Sequence, residues 1–145
     1  MSTMPANPQS PSDGARRTLA VLVGSYALAL VTLGVVLALL GAELASPPLW
    51  MVVTVLLATI AVWALAAVLP VSRAGSVASV TMRLTILRMA LLEAPAILGF
   101  ALAFVSSPTN LLIFVLPTIF ALGGMWLLAR PSVVLARVEN AFSSP

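Results

Sequence analysis

The chain has 145 residues, 61% of them hydrophobic and 8% charged, with no Cys and no His. A soluble domain of this length carries about a quarter charged residues, so an ordinary water-covered globule is excluded and a single small membrane domain is expected. The formal charge of +3 comes entirely from Arg scattered around apolar runs, with no stripe or patch that would engage nucleic acid. The missing Cys and His remove disulfides, thiolate chemistry, the commonest metal ligand and the commonest general base. No metal or cofactor is implied.

The opening "MSTMPANPQSPSDGA" is rich in Pro, Ser, Asn and Gly and lacks apolar periodicity; residues 1–17 are expected to be a flexible tail. Residues 18–130 then read as a four-helix transmembrane domain. The first span, 19–42, reads "LAVLVGSYALALVTLGVVLALLGA". "ARRTLAVLVG" before and within it faintly resembles a twin-arginine signal. Its apolar run exceeds the usual h-region and no clean A-x-A site follows, so an uncleaved span is expected. "ELASPP" leads to the second span, 49–69. After the looser "PVSRAGSVASVT" come the third span, 84–105, "SSPTN" and the fourth span, 111–129. Each run is long enough to cross a hydrocarbon core of about 30 Å at about 1.5 Å per residue, and lipid demands helices.

The two short connections predict that spans one and two, and spans three and four, are antiparallel hairpin neighbours. Arg16, Arg17, Arg73, Arg83, Arg130 and Arg137 flank the spans at one end, whereas the other two loops contain no Arg and one holds Glu43. The positive-inside rule then places both termini and the middle loop in the cytoplasm. Residues 131–145, "PSVVLARVENAFSSP", form a short amphipathic tail. Pro131 suits a first helical turn, and Val134, Leu135, Val138 and Phe142 share an apolar face. Two readings of this tail stand open: a helix lying on the membrane surface, and a frayed end of span four.

Span three contains "RMALLEAPAILGF", Arg88 to Phe100. An acid near the middle of a membrane helix costs about 2.5–3.5 kcal/mol on insertion scales. The Leu, Ile, Phe and Val of the span, each returning about 0.3–0.6 kcal/mol, roughly balance it. An ionised Glu93 is therefore not expected to face lipid; it is protonated or meets a polar partner. Arg88 lies about 140° around the helix from it and is expected to snorkel toward the cytoplasmic headgroups. Counting the same depth on the other spans arrives near Ser25 and Tyr26, between Thr59 and Trp63, and near Gly123 and Gly124. Those glycines would let a neighbouring backbone approach closely. Pro95 frees the carbonyl of Leu91 and is expected to kink the helix beside the acid.

Glu93, Tyr26, Ser25, Thr59 and Arg88 are thus the candidate intramembrane polar or ion-binding residues. Glu93 has two readings: it binds a proton, cation or polar ligand, or it is a buried clasp that holds helices in register. Gly99 with Ala103, and Gly34 with Gly41, are helix-packing signals. Trp50 and Trp126 fit interfacial anchoring. Pro117 is expected to kink span four.

"ALLEAPAILGFALAF" resembles the carboxylate-bearing helix of the rotary ATPase c subunit, where an acid among small residues precedes an apolar run with glycine. The resemblance covers about fifteen residues and implies an ion-binding role for Glu93 alone. The rest of the chain departs from that family: it has no glycine-rich partner helix, no polar Arg-Gln-Pro-like turn, and four spans instead of two. The whole-chain layout looks like small, uncharacterised bacterial four-span membrane proteins with an Arg-x-x-Leu-x-Glu-Ala-Pro-Ala-like third span, which implies a membrane location and no particular activity. The all-Arg, Ala-, Leu- and Val-rich composition fits a high-GC bacterial genome.

The expectation is an all-α integral membrane four-helix bundle in a bacterial inner membrane. It has no nucleophile beside a base and no enzymatic role. Its partners are the lipid bilayer and either a second copy or a larger membrane complex. The leading function is that of an accessory, complex-forming component. The alternative is a small transporter or proton- or cation-translocating subunit using Glu93.

Overall fold

The computed structural model describes residues 13–72 and 74–143. Their elements run α1 (Asp13–Leu39), α2 (Leu49–Val68), α3 (Val77–Val105), α4 (Leu111–Gly124), a π-helical turn (Met125–Ala129) and α5 (Pro131–Ser143). Four segments are long and apolar enough to cross a membrane: Arg17–Leu39, Leu49–Val68, Val77–Val105 and Leu111–Ala129. This all-helical build fits a multi-pass membrane protein.

Helix boundaries differ from the expected ones where local polar chemistry intervenes. α1 begins at Asp13, so residues 13–17, read as tail, extend the first helix. Residues 1–12 of that tail lie outside the described residues, as do Arg73 and residues 144–145. α3 begins at Val77 rather than Leu84, because the side chain of Ser76 caps it, accepting from the Ser79 amide at 3.3 Å. Half of the loop expected between spans two and three is therefore helix.

Gly41, expected to be a packing residue inside span one, instead ends α1. It holds φ +81°, its amide donates to Ala38 O, and the Ala42 amide donates to Leu37 O, both at 3.1 Å. That pair of bonds is a Schellman closure, which needs a residue tolerant of left-handed backbone.

The α1–α2 and α3–α4 connections are hydrogen-bonded to each other. The Glu43 amide donates to Thr109 O at 2.8 Å, and the Leu111 amide donates to Glu43 O at 3.0 Å. Asn110, buried between them, donates from Nδ2 to Ala45 O at 2.8 Å and caps α4 by accepting from the Leu112 amide at 3.0 Å.

α3 packs against every other helix, most extensively α4, whereas α1 and α2 hardly touch each other. The first pair is joined by a short loop but held apart in packing. The α3–α4 contact explains why: a Cβ on Gly99 would sit 2.5 Å from Ile113 O and 2.8 Å from Pro117 Cγ. Only a residue without a side chain permits that approach, and with Ala103 fully buried one turn on it draws α4 tightly onto α3. Gly34 plays a lesser part, facing the Phe114 ring of α4. The ring of Phe100 meets Phe114 edge to face at a centroid distance of 5.7 Å. Pro95 and Pro117 are both accommodated within unbroken helices.

α5 excludes one of the two readings of the C-terminal segment, the frayed end of span four. It is a separate helix, but Val134, Leu135 and Val138 are buried against Val77, Val80 and Leu84 of α3, with Phe142 beside them. This much of its apolar face is covered by α3.

Candidate functional site

The polar chemistry of the spans concentrates on α3, and its centre is the end of span four. Arg130 has φ −56° and ψ 129°, outside the helical region. It precedes Pro131, whose ring disfavours helical backbone at the residue before it. The helix therefore stops, after a π turn, at Ala129, and Pro131 opens α5 with the Arg130 carbonyl accepting from the Val133 and Val134 amides. A helix end leaves its last carbonyls without intrahelical donors. Arg88 Nη1 supplies one, donating to Leu128 O at 2.7 Å. This is a charge-assisted bond, with a cation placed at the negative end of the helix dipole.

Arg88 is 1% exposed. The expected snorkelling to the headgroups therefore does not occur: the side chain runs inside the protein and ends on a backbone carbonyl of span four. The long α3 start, with α5 laid over it, covers the route to the surface. Nε and Nη2 of Arg88 are buried without hydrogen-bond partners among the described residues, as are Thr85 Oγ1, one turn earlier on α3, and Trp63 Nε1 on α2. Arg88 thus carries a cation into the core with one good partner, an arrangement that is costly for stability in itself.

Glu93 occupies the flank of α3, half-buried. Among the described residues it makes no hydrogen bond and no ion pair, with Arg88 or any other group. The residues expected at its depth are not drawn to it. Ser25 is exposed and its hydroxyl donates to Val21 O at 2.9 Å, within α1. Thr59 is buried, and its hydroxyl donates to Val55 O at 2.8 Å, within α2. Both bonds return to the carbonyl four residues earlier, a local alternative open to any helical Ser or Thr. Tyr26 packs partly buried against the main core, with no hydrogen bond to the acid. The Leu91 carbonyl freed by Pro95 receives nothing from Glu93.

Of the residues in the depth estimate, Trp63 and Gly124 lie level with Leu92, next to the acid in the chain. A Cβ on Gly124 would lie 2.6 Å from Leu92 Cδ2 and 3.3 Å from Trp63 Cε2, so α2, α3 and span four meet in one layer beside the acid. The close approach at Gly124 is to side chains, not backbone, and Gly123 has nothing within 4 Å.

The sequence reading missed the Arg88–Leu128 bond and the buried Thr85. The signal was present in "ARPS": an Arg-Pro step fixes a helix end with free carbonyls, and Arg88 lies at a depth that reaches it. Among the described residues no three acidic, His or Cys side chains gather as a metal site.

Compared with known proteins, the chain matches no family model, no curated protein and no solved structure. The resemblance of the third span to the c subunit, and of the layout to small bacterial four-span proteins, therefore gains no support from outside the chain.

Proposed function

We propose that this multi-pass membrane protein is a non-enzymatic component of a bacterial inner-membrane complex, associating with a second copy or another membrane protein through the face of α3 beside Glu93. The helices form a bundle organised around α3, with both termini in the cytoplasm, as the Arg distribution favours. The observation that carries the reading is the unpartnered carboxyl. An acid in a span is costly, and the Ser25 and Thr59 hydroxyls expected to serve it are bonded to their own helices. The stripe next to it, Leu87, Ala90, Ala94, Ile97 and Ala101, is exposed. Small residues there allow another helix to come close and bring a polar group to the acid. Transport has weaker support, since no second acid lies in any span to continue a proton path.

The natural absence of Cys makes the test direct. Single cysteines at Ala94 and Ile97 are expected to cross-link in native membranes, to a second copy or to one discrete partner. A cysteine at lipid-facing Leu57 of α2 should not, and Glu93→Leu should abolish the cross-links. Absence of cross-linking at the α3 positions, together with proton or cation flux in liposomes that disappears in Glu93→Gln, would replace this reading with the transport one.

A further inference from the structure

We propose that the cleft between α1, the π turn and α5 binds a phospholipid with a zwitterionic primary-amine headgroup, of the phosphoethanolamine type. The inference rests on the membrane placement of the chain and is independent of the role assigned to Glu93. Two hollows, of about 420 and 460 Å³, share Ala20, Arg130 and Pro131 in their linings, so they adjoin along the same groove. Each is within the range of about 300–1,000 Å³ common for ligand sites.

Their linings differ in chemistry. The first hollow runs along the spans and is walled by Val23 and Ala27 of α1 and by Leu122, Met125 and Trp126 of span four. Away from Arg130 it offers apolar surface to an acyl chain. The second lies against α5, walled by Ser132, Leu135, Ala136 and Glu139, residues at helical spacing that share one face. Arg130 stands at the junction, its guanidinium 4.7 Å from the centre of the Trp126 ring. An Arg–Trp pair of this kind is stabilised by cation–π attraction and suits the headgroup level, where Trp is enriched.

The charges select the headgroup. Arg130 and Glu139 line the same hollow, yet among the described residues they form no ion pair with each other or with any other group. A ligand bearing phosphate alone would satisfy Arg130 and be repelled by Glu139; an amine alone would do the reverse. A headgroup carrying both sets its phosphate on Arg130 and its ammonium on Glu139. A primary ammonium donates hydrogen bonds to the carboxylate, which a quaternary one cannot do.

The test uses the full chain in detergent with phosphatidylethanolamine, phosphatidylcholine or phosphatidylglycerol of matched acyl chains, each lipid retained on the protein being counted by native mass spectrometry. The expected result is about tenfold stronger retention of phosphatidylethanolamine than of either competitor, equivalent to about 1.4 kcal/mol. Glu139→Gln should erase its advantage over phosphatidylglycerol, Arg130→Gln should weaken all three, and Ala20→Trp, which fills the shared wall, should abolish retention. Equal retention of the three lipids by the native chain would overturn the proposal. So would an undiminished ethanolamine preference in Glu139→Gln, provided its melting in lipid-free detergent matches the native chain.

Discussion

α1 and α3 are both long helices that hydropathy alone would treat alike, yet the structure uses them differently. In the most apolar stretch of α1, 11% of residues are buried inside the protein, against 39% for α3. α1 presents Val21, Leu28 and Val31 outward, and its Ser25 and Thr32 hydroxyls are satisfied by α1's own backbone. α3 is the less hydrophobic of the two spans, but it touches every other helix. Hydropathy decides whether a helix enters lipid. Charged and small residues decide which helix the others gather around, because an Arg needs protein around it and a Gly allows protein to approach.

The largest expected effect tests that division directly. Arg88→Ala deletes the bulkiest fully buried side chain and leaves Leu128 O without its donor. Losing that much packing costs about 3–5 kcal/mol, and relief of the buried charge offsets part of it. A net loss of about 3 kcal/mol is expected in unfolding from mixed micelles. Arg88→Met, which keeps most of the volume, should recover roughly half of it. Leu28→Ala on the lipid-facing side of α1 should change stability by less than about 0.5 kcal/mol. If Arg88→Ala proved as harmless as Leu28→Ala, α3 would not be the organising helix.

The same substitution at two glycines sharpens the comparison. At Gly99 an added methyl meets the backbone of α4 at 2.5 Å, and a backbone oxygen cannot swing aside. Gly99→Ala is expected to cost about 1–3 kcal/mol by overpacking. At Gly24 nothing lies within 4 Å, so Gly24→Ala should stabilise α1 by up to about 1 kcal/mol through helix propensity. Paired melting curves in one detergent would show opposite signs. Equal signs would mean that the α3–α4 contact is looser than its geometry implies.

Much of this was legible in the residues, and the reasons for the rest are physical. Apolar runs, "ELASPP" and "SSPTN" revealed four spans and two short connections, because span length is fixed by membrane thickness. The depth count correctly brought Trp63 and Gly124 level with the acid. It could not tell which way each side chain turns, and Ser25 and Thr59 turn back to their own helices. α1 and α2 were expected to pack as neighbours because a short loop joins them; instead each packs on α3 and α4, which are drawn together at Gly99. Arg88 was expected at the headgroups because α5 was not foreseen as a cover over the start of α3. In each case long-range packing overrode a sound local expectation.

The smallest effects concern how α1 keeps its place although it buries so little. The loop after it is bonded to the α3–α4 loop through two kinds of group. Asn110 contributes its side chain, bonded to Ala45 O and to the Leu112 amide. Glu43 contributes only its backbone, bonded to Thr109 O and the Leu111 amide, while its side chain is exposed. Asn110→Ala should therefore cost about 1–2 kcal/mol, the value of a lost helix cap plus an orphaned carbonyl, and should speed proteolysis of the segment around 42–48. Glu43→Gln alters the carboxylate and leaves both backbone bonds intact, so stability should stay within about 0.5 kcal/mol. Should the two variants melt alike and lose the loop to protease alike, the junction would depend on the carboxylate. The weakly buried α1 would then be held by an electrostatic contact at the surface instead of by the backbone pairing seen here.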